Sequence, residues 1–148
     1  MQLTRFTDYA LRTLMYLGLQ TDRLVTIPEI ARVYGISANH LTKVVQRLAQ
    51  QGYVETVRGK GGGMRLARPA ETINIGGVVR DTEDNMDVAE CFDSANRACP
   101  MLPACVLKSA LHEASQSFLA TLDRYRLPDL LPPTNSANSR KLIARLMG

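Results

Sequence analysis

The sequence predicts a mainly α-helical fold: a winged helix-turn-helix with a two-stranded wing and a long dimerisation helix. Three observations predict it. A short helical segment, a glycine-bearing turn and a second capped helix occupy residues 26–52, a basic glycine-rich hairpin follows at 53–67, and apolar residues recur with heptad spacing over 104–125. Trp is absent and aromatic residues are only 5% of the chain, which favours a small helical protein over an aromatic-packed sandwich.

The first two helices are predicted from their caps and their apolar spacing. The first runs from Thr4, a suitable N-cap, to about Gln20. The second follows Thr26, has Pro28 in its first turn, where proline is accepted, and ends at Gly35. The apolar side chains of the first helix recur at helical spacing: Leu3, Phe6, Ala10, Leu14 and Leu17.

A longer helix follows immediately and completes the helix-turn-helix. Ser37 is its expected cap and Gly52 ends it. Its buried stripe is predicted to consist of Leu41, Val44 and Leu48. This helix is the predicted recognition helix.

The predicted wing is a hairpin. Residues 53–57 alternate as a strand, and residues 64–67 return as its partner. The tip between them, residues 58–63, is rich in glycine and carries Arg58 and Lys60. A phosphate-cradling nucleotide loop is disfavoured because the run is not a P-loop motif and lacks a strand–loop–helix context.

A short helix is predicted to begin within residues 75–80, and a long one spans 104–125, which at 1.5 Å per residue would measure ~33 Å. The long helix has a heptad seam: Leu107, Leu111, Ala114, Phe118, Thr121 and Tyr125. We interpret it as the pairing element of a homodimer, the alternative being a helix folded back on its own domain.

Four regions are therefore expected. Residues 1–80 form the winged-helix domain, 81–106 a cysteine-bearing loop, and 104–127 the dimerisation helix. Residues 128–148 form a flexible tail, in which only the last few residues make a frayed turn.

Charge is distributed unevenly along the chain. The net charge of +4 is the balance of +6 over residues 1–68, −5 over 69–107 and +3 over 108–148. A basic N-terminal half suits double-stranded DNA, although charge alone also fits a solvated basic surface. No stretch approaches the roughly 20 apolar residues of a membrane span, so a cytoplasmic protein without membrane contact is expected.

The candidate DNA-binding residues lie at the start of the recognition helix and in the wing, with Arg47 farther along the helix near the DNA backbone. Asn39 is suited to adenine and Lys43 to guanine, while His40 is equally compatible with an intramolecular contact. Arg58 is placed to enter a narrow minor groove. The full predicted set is Ser37, Asn39, His40, Thr42, Lys43, Arg47, Arg58, Lys60 and Gly61.

Three cysteines, Cys91, Cys99 and Cys105, fall within one polar window of fifteen residues. An odd number in a reducing compartment disfavours a structural disulfide. Structural zinc sites usually contain closely spaced C-x₂₋₄-C pairs and four ligands, which this spacing does not match. From spacing alone an iron–sulfur cluster is favoured, and zinc or direct thiol chemistry stays open.

The combination of motifs adds a specific resemblance. It rests on MQLTRFTDYALR at residues 1–12, on VRGKGGG at residues 57–63, and on the three cysteines with Cys99-Pro100 and Pro103-Ala104-Cys105. Over residues 1 to about 130 the chain resembles the NsrR group of the iron–sulfur winged-helix regulator family, which also contains IscR. The first cysteine interval is longer than in some relatives, which affects loop geometry rather than ligand identity.

The resemblance implies a ligand set. Cys91, Cys99 and Cys105 would hold the cluster, [4Fe–4S] being favoured and [2Fe–2S] the alternative, and Asp8 of the partner subunit would complete it. Asp8 also fits a simpler role, in which it complements the helix dipole and pairs with Arg12. IscR-like members use a histidine instead, and His112 is the one near these cysteines, although outside the matching motif.

The resemblance also implies a function: a dimeric transcription repressor that binds operator DNA with its cluster and releases it when nitric oxide nitrosylates that cluster. Alternatives in the same class are a thiol-based redox switch and an IscR-type regulator of iron–sulfur status. A small electron-transfer or cluster-carrier protein is disfavoured by the recognition helix and wing. An enzyme is disfavoured because no nucleophile–base–orienter set is recognisable.

Overall fold

The computed structural model describes residues 2–95, 99–133 and 136–147. Met1, the stretch 96–98 of the cysteine loop, and residues 134, 135 and 148 of the predicted tail lie outside these ranges. The helices and strands are α1 (Arg5–Leu19), α2 (Ile27–Tyr34), α3 (Ala38–Gln50), β1 (Val54–Val57), β2 (Gly63–Leu66), α4 (Ile75–Thr82), α5 (Val106–Leu122) and α6 (Ala137–Met147). The predicted mainly helical winged fold is confirmed.

The caps explain where the first helices begin and end. The hydroxyls of Thr4 and Thr26 each accept a hydrogen bond from an amide in the first turn of α1 and α2, and Gly35 ends α2 in the left-handed conformation, with φ +64°. Ser37 stands at the N-cap of α3, as predicted, but makes no capping hydrogen bond. The expected capping role of its side chain is therefore wrong, and Ser37 is exposed.

The core lies where α1 crosses α3. Leu14 of α1 and Leu48 of α3 have no exposed surface, and Tyr16 is only 1% exposed. The predicted stripe of α3 is buried, together with one further valine: Leu41, Val44, Val45 and Leu48. Because the apolar faces of α1 and α3 are buried here, the opposite face of α3 is left to solvent.

The wing is an antiparallel hairpin whose register runs from Val54 opposite Leu66 to Val57 opposite Gly63. Its base has an additional partner, since Val25 and Met64 exchange two main-chain hydrogen bonds of 3.0 and 2.7 Å. A β-carbon on Gly63 would lie 2.7 Å from the Val25 carbonyl oxygen, so this close approach requires glycine. The pairing fixes the wing to the connection between α1 and α2.

The helix α4 is joined to the end of α5. Arg80 donates two hydrogen bonds of 2.7 Å, one to each carboxylate oxygen of Asp123, and the Asn74 amide donates to the Asp123 carbonyl oxygen at 2.7 Å. The α5 helix ends at Leu122, earlier than predicted, because the chain turns there to pair with the start of α4. Tyr125 is therefore not on the helix, and the predicted seam is wrong at that position.

The C-terminal segment contains more structure than the expected tail. Residues 127–130 form one 3₁₀ turn and α6 spans Ala137–Met147. Leu146 packs against the core, and its carbonyl oxygen accepts a hydrogen bond from the buried Tyr16 hydroxyl at 3.2 Å. A helix this short depends on tertiary contacts for its stability, and helix propensities calculated from the local sequence do not include such contacts.

Adjacent glycines in α4 should respond oppositely to alanine. A β-carbon on Gly76 would lie 2.0 Å from Asp123 Oδ1, whereas one on Gly77 would meet nothing closer than 3.6 Å. We expect Gly76→Ala to lower the free energy of unfolding by about 1–3 kcal/mol through overpacking, and Gly77→Ala to raise it by up to about 1 kcal/mol. Urea unfolding of both variants measures this; equal effects would contradict the close α4–α5 contact.

Glu29 should make stability depend on pH in the acid range. Hydrogen bonds from Arg23 and Tyr16 lower the pKa of Glu29 from 4.5 to about 2. Its stabilising contribution is therefore fully present above pH 4.5 and is lost as the pH falls towards 2. Urea unfolding across this window should show a smaller loss in Glu29→Gln than in the parent protein, while Glu71→Gln, at an exposed position, should behave like the parent.

Candidate DNA interface and cysteine site

The exposed face of α3 contains the predicted reading residues. None of their side chains belongs to the core, because they alternate with the buried stripe at helical spacing. All six are exposed: Ser37, Asn39, His40, Thr42, Lys43 and Arg47. Among the described residues, no hydrogen bond or ion pair engages the side chains of Asn39 and Lys43, which leaves their donors and acceptors available to a ligand.

Three of these residues have intramolecular partners. The Thr42 hydroxyl donates back to the Ala38 carbonyl at 2.9 Å. The His40 ring lies 6.5 Å from the Tyr9 ring of α1, so the intramolecular alternative weighed for His40 is present. Arg47 Nε donates to a main-chain carbonyl of α4 at 3.0 Å. The reading face is thus supported from α1 on one side and from α4 on the other.

The wing tip presents two cations on a glycine-rich backbone. Arg58, Lys60 and Gly61 are exposed, and Gly61 has a positive φ of +77° that favours glycine. Arg65 is different, because it is paired with Glu55 on the opposite strand at 3.0 Å. Arg58 and Lys60 are therefore the wing cations available to a polyanion.

Two of the three cysteines share a cleft. Cys91 and Cys99 line a cleft of about 620 Å³, and Cys105 lines an adjacent depression of about 260 Å³. The two cavities have three wall residues in common: Leu102, Pro103 and Lys108. All three thiols are free. Within the described ranges, no three His, Cys, Asp or Glu side chains form a metal-binding group, so the thiols are neighbours rather than a formed cage.

Contacts with α5 hold the cysteine segment. The Cys105 sulfur caps α5 by accepting a hydrogen bond from the Lys108 amide at 3.4 Å. Phe92 stacks on His112 with ring centroids 6.4 Å apart, and Lys108 Nζ lies 5.7 Å from the Phe92 ring centre. Sequence reasoning did not identify Phe92 or Lys108. Their spacing from the cysteines was the available signal, since Phe92 follows Cys91 directly and Lys108 lies three residues beyond Cys105.

Asp8 lies in the first turn of α1. Its carboxylate pairs with Arg12 at 3.0 Å, the simpler role weighed from sequence, and 44% of the Asp8 side chain remains exposed. Arg12 also lies 5.8 Å from the Tyr34 ring centre at the end of α2. Neither Asp8 nor His112 lines either cysteine cavity of this chain.

Comparison with known proteins agrees with this arrangement. A model of the Rrf2 family, described as iron-dependent transcriptional regulators, matches residues 3–133. The chain belongs to the Rrf2 family. It is 52% identical over 132 residues to the HTH-type transcriptional regulator NsrR of Bacillus subtilis, covering 88% of this chain and 90% of that protein. It is 50% identical, with the same coverage, to NsrR of Halalkalibacterium halodurans.

Among solved structures, the fold is similar to that of "T. potens IscR", with a TM-score of 0.71, 24% identity and coverage of 88% of this chain and 86% of that one. This Rrf2-family chain is accordingly a DNA-binding transcriptional regulator of NsrR type and not an enzyme. In the part of the chain that the structure describes, no helix is both long and apolar enough to cross a membrane.

Proposed function

We propose that this Rrf2-family chain is a cytoplasmic, homodimeric repressor that releases its operator DNA in response to nitric oxide. One observation carries the proposal. A recognition helix whose Asn39 and Lys43 side chains face solvent belongs to the same chain as three free cysteines that line adjoining cavities at the start of α5. A reading surface and a soft-ligand site are thereby combined in one small protein.

The donor set fits an iron–sulfur cluster. Thiolates are the usual ligands of such clusters, and the two cavities lined by the three cysteines share a wall at Leu102, Pro103 and Lys108. Cys91, Cys99 and Cys105 would hold the cluster, with [4Fe–4S] favoured over [2Fe–2S], and Asp8 of the partner subunit would supply the remaining ligand. When bound, the cluster supplies iron that is open to nitric oxide at its most weakly held position.

The ligands belong to elements that also support the reading face. Cys105 caps α5, and Phe92 ties the Cys91 segment to the same helix. Asp8 lies next to Tyr9, whose ring contacts His40 of the recognition helix. Because Arg12 pairs with the Asp8 carboxylate, it competes with a metal for that carboxylate. Occupation of the site would therefore change the contacts of α1 beside α3.

The exposed surface of α5 supports a homodimer. Val106 is 80% and Leu107 66% exposed, whereas the buried positions of this helix are Ser115 and Leu119. Seam residues Leu107, Ala114 and Thr121 are exposed and Leu111 and Phe118 are half-buried, so this face of α5 is only partly covered by its own domain. Two-fold pairing along α5 would present two recognition helices to half-sites about one helical turn apart, roughly 34–36 Å.

Base reading is expected from the start of α3. A DNA duplex selected by the protein from a random library supplies the probe. Asn39→Ala and Lys43→Ala should each weaken binding to this duplex by about 1–3 kcal/mol and relax the base preference at one position, since each would remove a paired contact to a base edge. Arg124→Ala, which removes an exposed cation elsewhere, is the control. Unchanged affinity and base preference in both α3 variants would contradict this orientation of the helix.

Anaerobic purification and visible spectroscopy test the cofactor. We expect a brown protein with equal amounts of iron and sulfide that loses its colour and its selected duplex together on addition of nitric oxide. Cys99→Ala should be colourless, and Asp8→Ala should retain less iron, whereas Asp22→Ala, at an exposed acid of the α1–α2 connection, should match the parent protein.

The alternatives predict different results in the same experiment. A thiol switch predicts colourless protein whose DNA binding is lost on oxidation and restored by dithiothreitol alone. An IscR-type status regulator predicts a brown protein whose DNA binding depends on cluster loading, with nitric oxide having no special effect. A colourless, iron-free protein that binds DNA and ignores nitric oxide would overturn the sensor and leave the winged helix.

A further inference from the structure

The end of α4 contacts the recognition helix. Arg47, in the last turn of α3, has its Nε 3.0 Å from the main-chain oxygen of Asp81 and donates a hydrogen bond to it. Asp81 is the residue before the end of α4 at Thr82. The guanidinium group predicted to contact the DNA backbone is therefore engaged, through one of its donors, inside the protein.

The same aspartate also contacts the base of the wing. The Tyr53 hydroxyl donates to Asp81 Oδ2 at 2.6 Å, and Tyr53, which is 4% exposed, directly precedes β1. Arg68 follows the end of β2, and its guanidinium lies 4.2 Å from the centre of the Tyr53 ring. The Tyr53 carbonyl accepts a hydrogen bond from the Ala67 amide at 3.0 Å. Asp81 thus contacts the end of the recognition helix directly. Through Tyr53 it is also linked to the base of both wing strands.

The chain beyond Asp81 leads to the cysteines. The next helix residue, Thr82, donates to the Val78 carbonyl and closes α4. Glu83 then accepts hydrogen bonds from the main chain and the hydroxyl of Thr4, at 2.8 and 3.0 Å, where α1 begins. Two residues, Asp81 and Glu83, therefore hold three DNA-domain elements at the point where the chain enters the cysteine segment.

We propose that Asp81 is a positioning residue that sets the recognition helix relative to the wing, and that Arg47 acts through Asp81 rather than by binding phosphate. The inference rests on the DNA-binding part of the proposed function and needs neither the cluster nor nitric oxide.

The two roles of Arg47 have different signatures because affinity and specificity have different sources. Phosphate contacts supply binding to any sequence and its dependence on salt, whereas base contacts require the correct placement of α3. A residue that fixes α3 against the wing therefore affects only the base contacts, and with them the preference for the selected sequence. The hydrogen bond from Tyr53 to Asp81 persists at neutral pH. Burial and the Asp81 carboxylate raise the pKa of Tyr53 to about 12, so its hydroxyl stays a donor.

Tyr53→Phe tests the junction by removing one hydroxyl and no packing volume. We expect roughly a ten-fold loss of affinity for the library-selected duplex, the size expected for one hydrogen bond to a charged group. Affinity for poly(dI-dC) should be unchanged. Tyr34→Phe is the matched control, because no hydrogen bond engages the Tyr34 hydroxyl among the described residues.

Arg47→Ala separates positioning from phosphate binding. As a positioning change it should lower affinity for the selected duplex by a similar factor and leave poly(dI-dC) binding and the salt dependence unchanged. A phosphate contact would instead weaken both DNAs together and reduce the slope of log K against log[salt] by about 0.9. That second result would overturn the inference, as would Tyr53→Phe behaving like Tyr34→Phe.

Two controls keep the outcomes distinct. Circular dichroism and urea unfolding show whether each variant is folded, and Asp81→Asn, which keeps the main-chain acceptor for Arg47 and weakens only the Tyr53 bond, should resemble Tyr53→Phe. If Asp81→Asn matches the parent protein on both DNAs, the inference fails. If the parent protein selects no duplex at all, the proposed function fails first.

Discussion

Gly76 lets the Asp123 carboxylate approach α4 closely enough for both carboxylate oxygens to meet the guanidinium of Arg80 at 2.7 Å. The position of α5 relative to the winged helix depends on this contact. Asp123 stands at the C-terminal end of α5, where the helix dipole disfavours an anion, so the paired arginine offsets an unfavourable placement. The bidentate geometry also restricts the angle between the helices more tightly than a single hydrogen bond would.

With α5 fixed, both ends of the cysteine segment are fixed as well. The segment leaves α4 at Glu83, which is held by Thr4, and it rejoins the helical framework at Cys105, which caps α5. Between these anchors the main described contact is Phe92 on His112 and Lys108. Within its described residues the segment is attached mainly at its ends, which would suit the proposed cluster site, because little packing would oppose a rearrangement of its side chains around a ligand.

Local sequence signals predicted the parts of the fold that local interactions determine. Thr4, Thr26 and Gly35 were identified from capping chemistry alone, and the hairpin tip from its glycine content between two strand-like segments. The errors occur where a distant contact decides the outcome. The end of α5 depends on pairing with the start of α4. The docking of α6 depends on the contact between Leu146 and Tyr16, which lie 130 residues apart in the sequence. Ser37 marks the helix start correctly, but its side chain is turned to solvent.

The candidate site divides in the same way. Spacing identified the three cysteines, and helical periodicity identified the exposed face of α3, since both are properties of one segment. Neither could reveal that Arg47 meets Asp81, thirty-four residues away, or that Lys108 lies between two cysteine cavities. Contacts between elements are set by packing in three dimensions. They have no periodic trace in a single sequence.

The charge pattern gives these contacts their importance. Most acidic residues of the stretch 69–107 follow the end of α4, whereas the cations predicted to face DNA lie on α3 and at the wing tip. Exposed charges act directly over about the Debye length, roughly 8 Å at physiological ionic strength. The end of α4 lies within that distance of the recognition helix, since Arg47 Nε is 3.0 Å from the Asp81 main-chain oxygen. Under the proposed function, a change at the cysteines would reach the reading surface through packed side chains and hydrogen bonds, and the contacts of Asp81 and Glu83 provide such a connection.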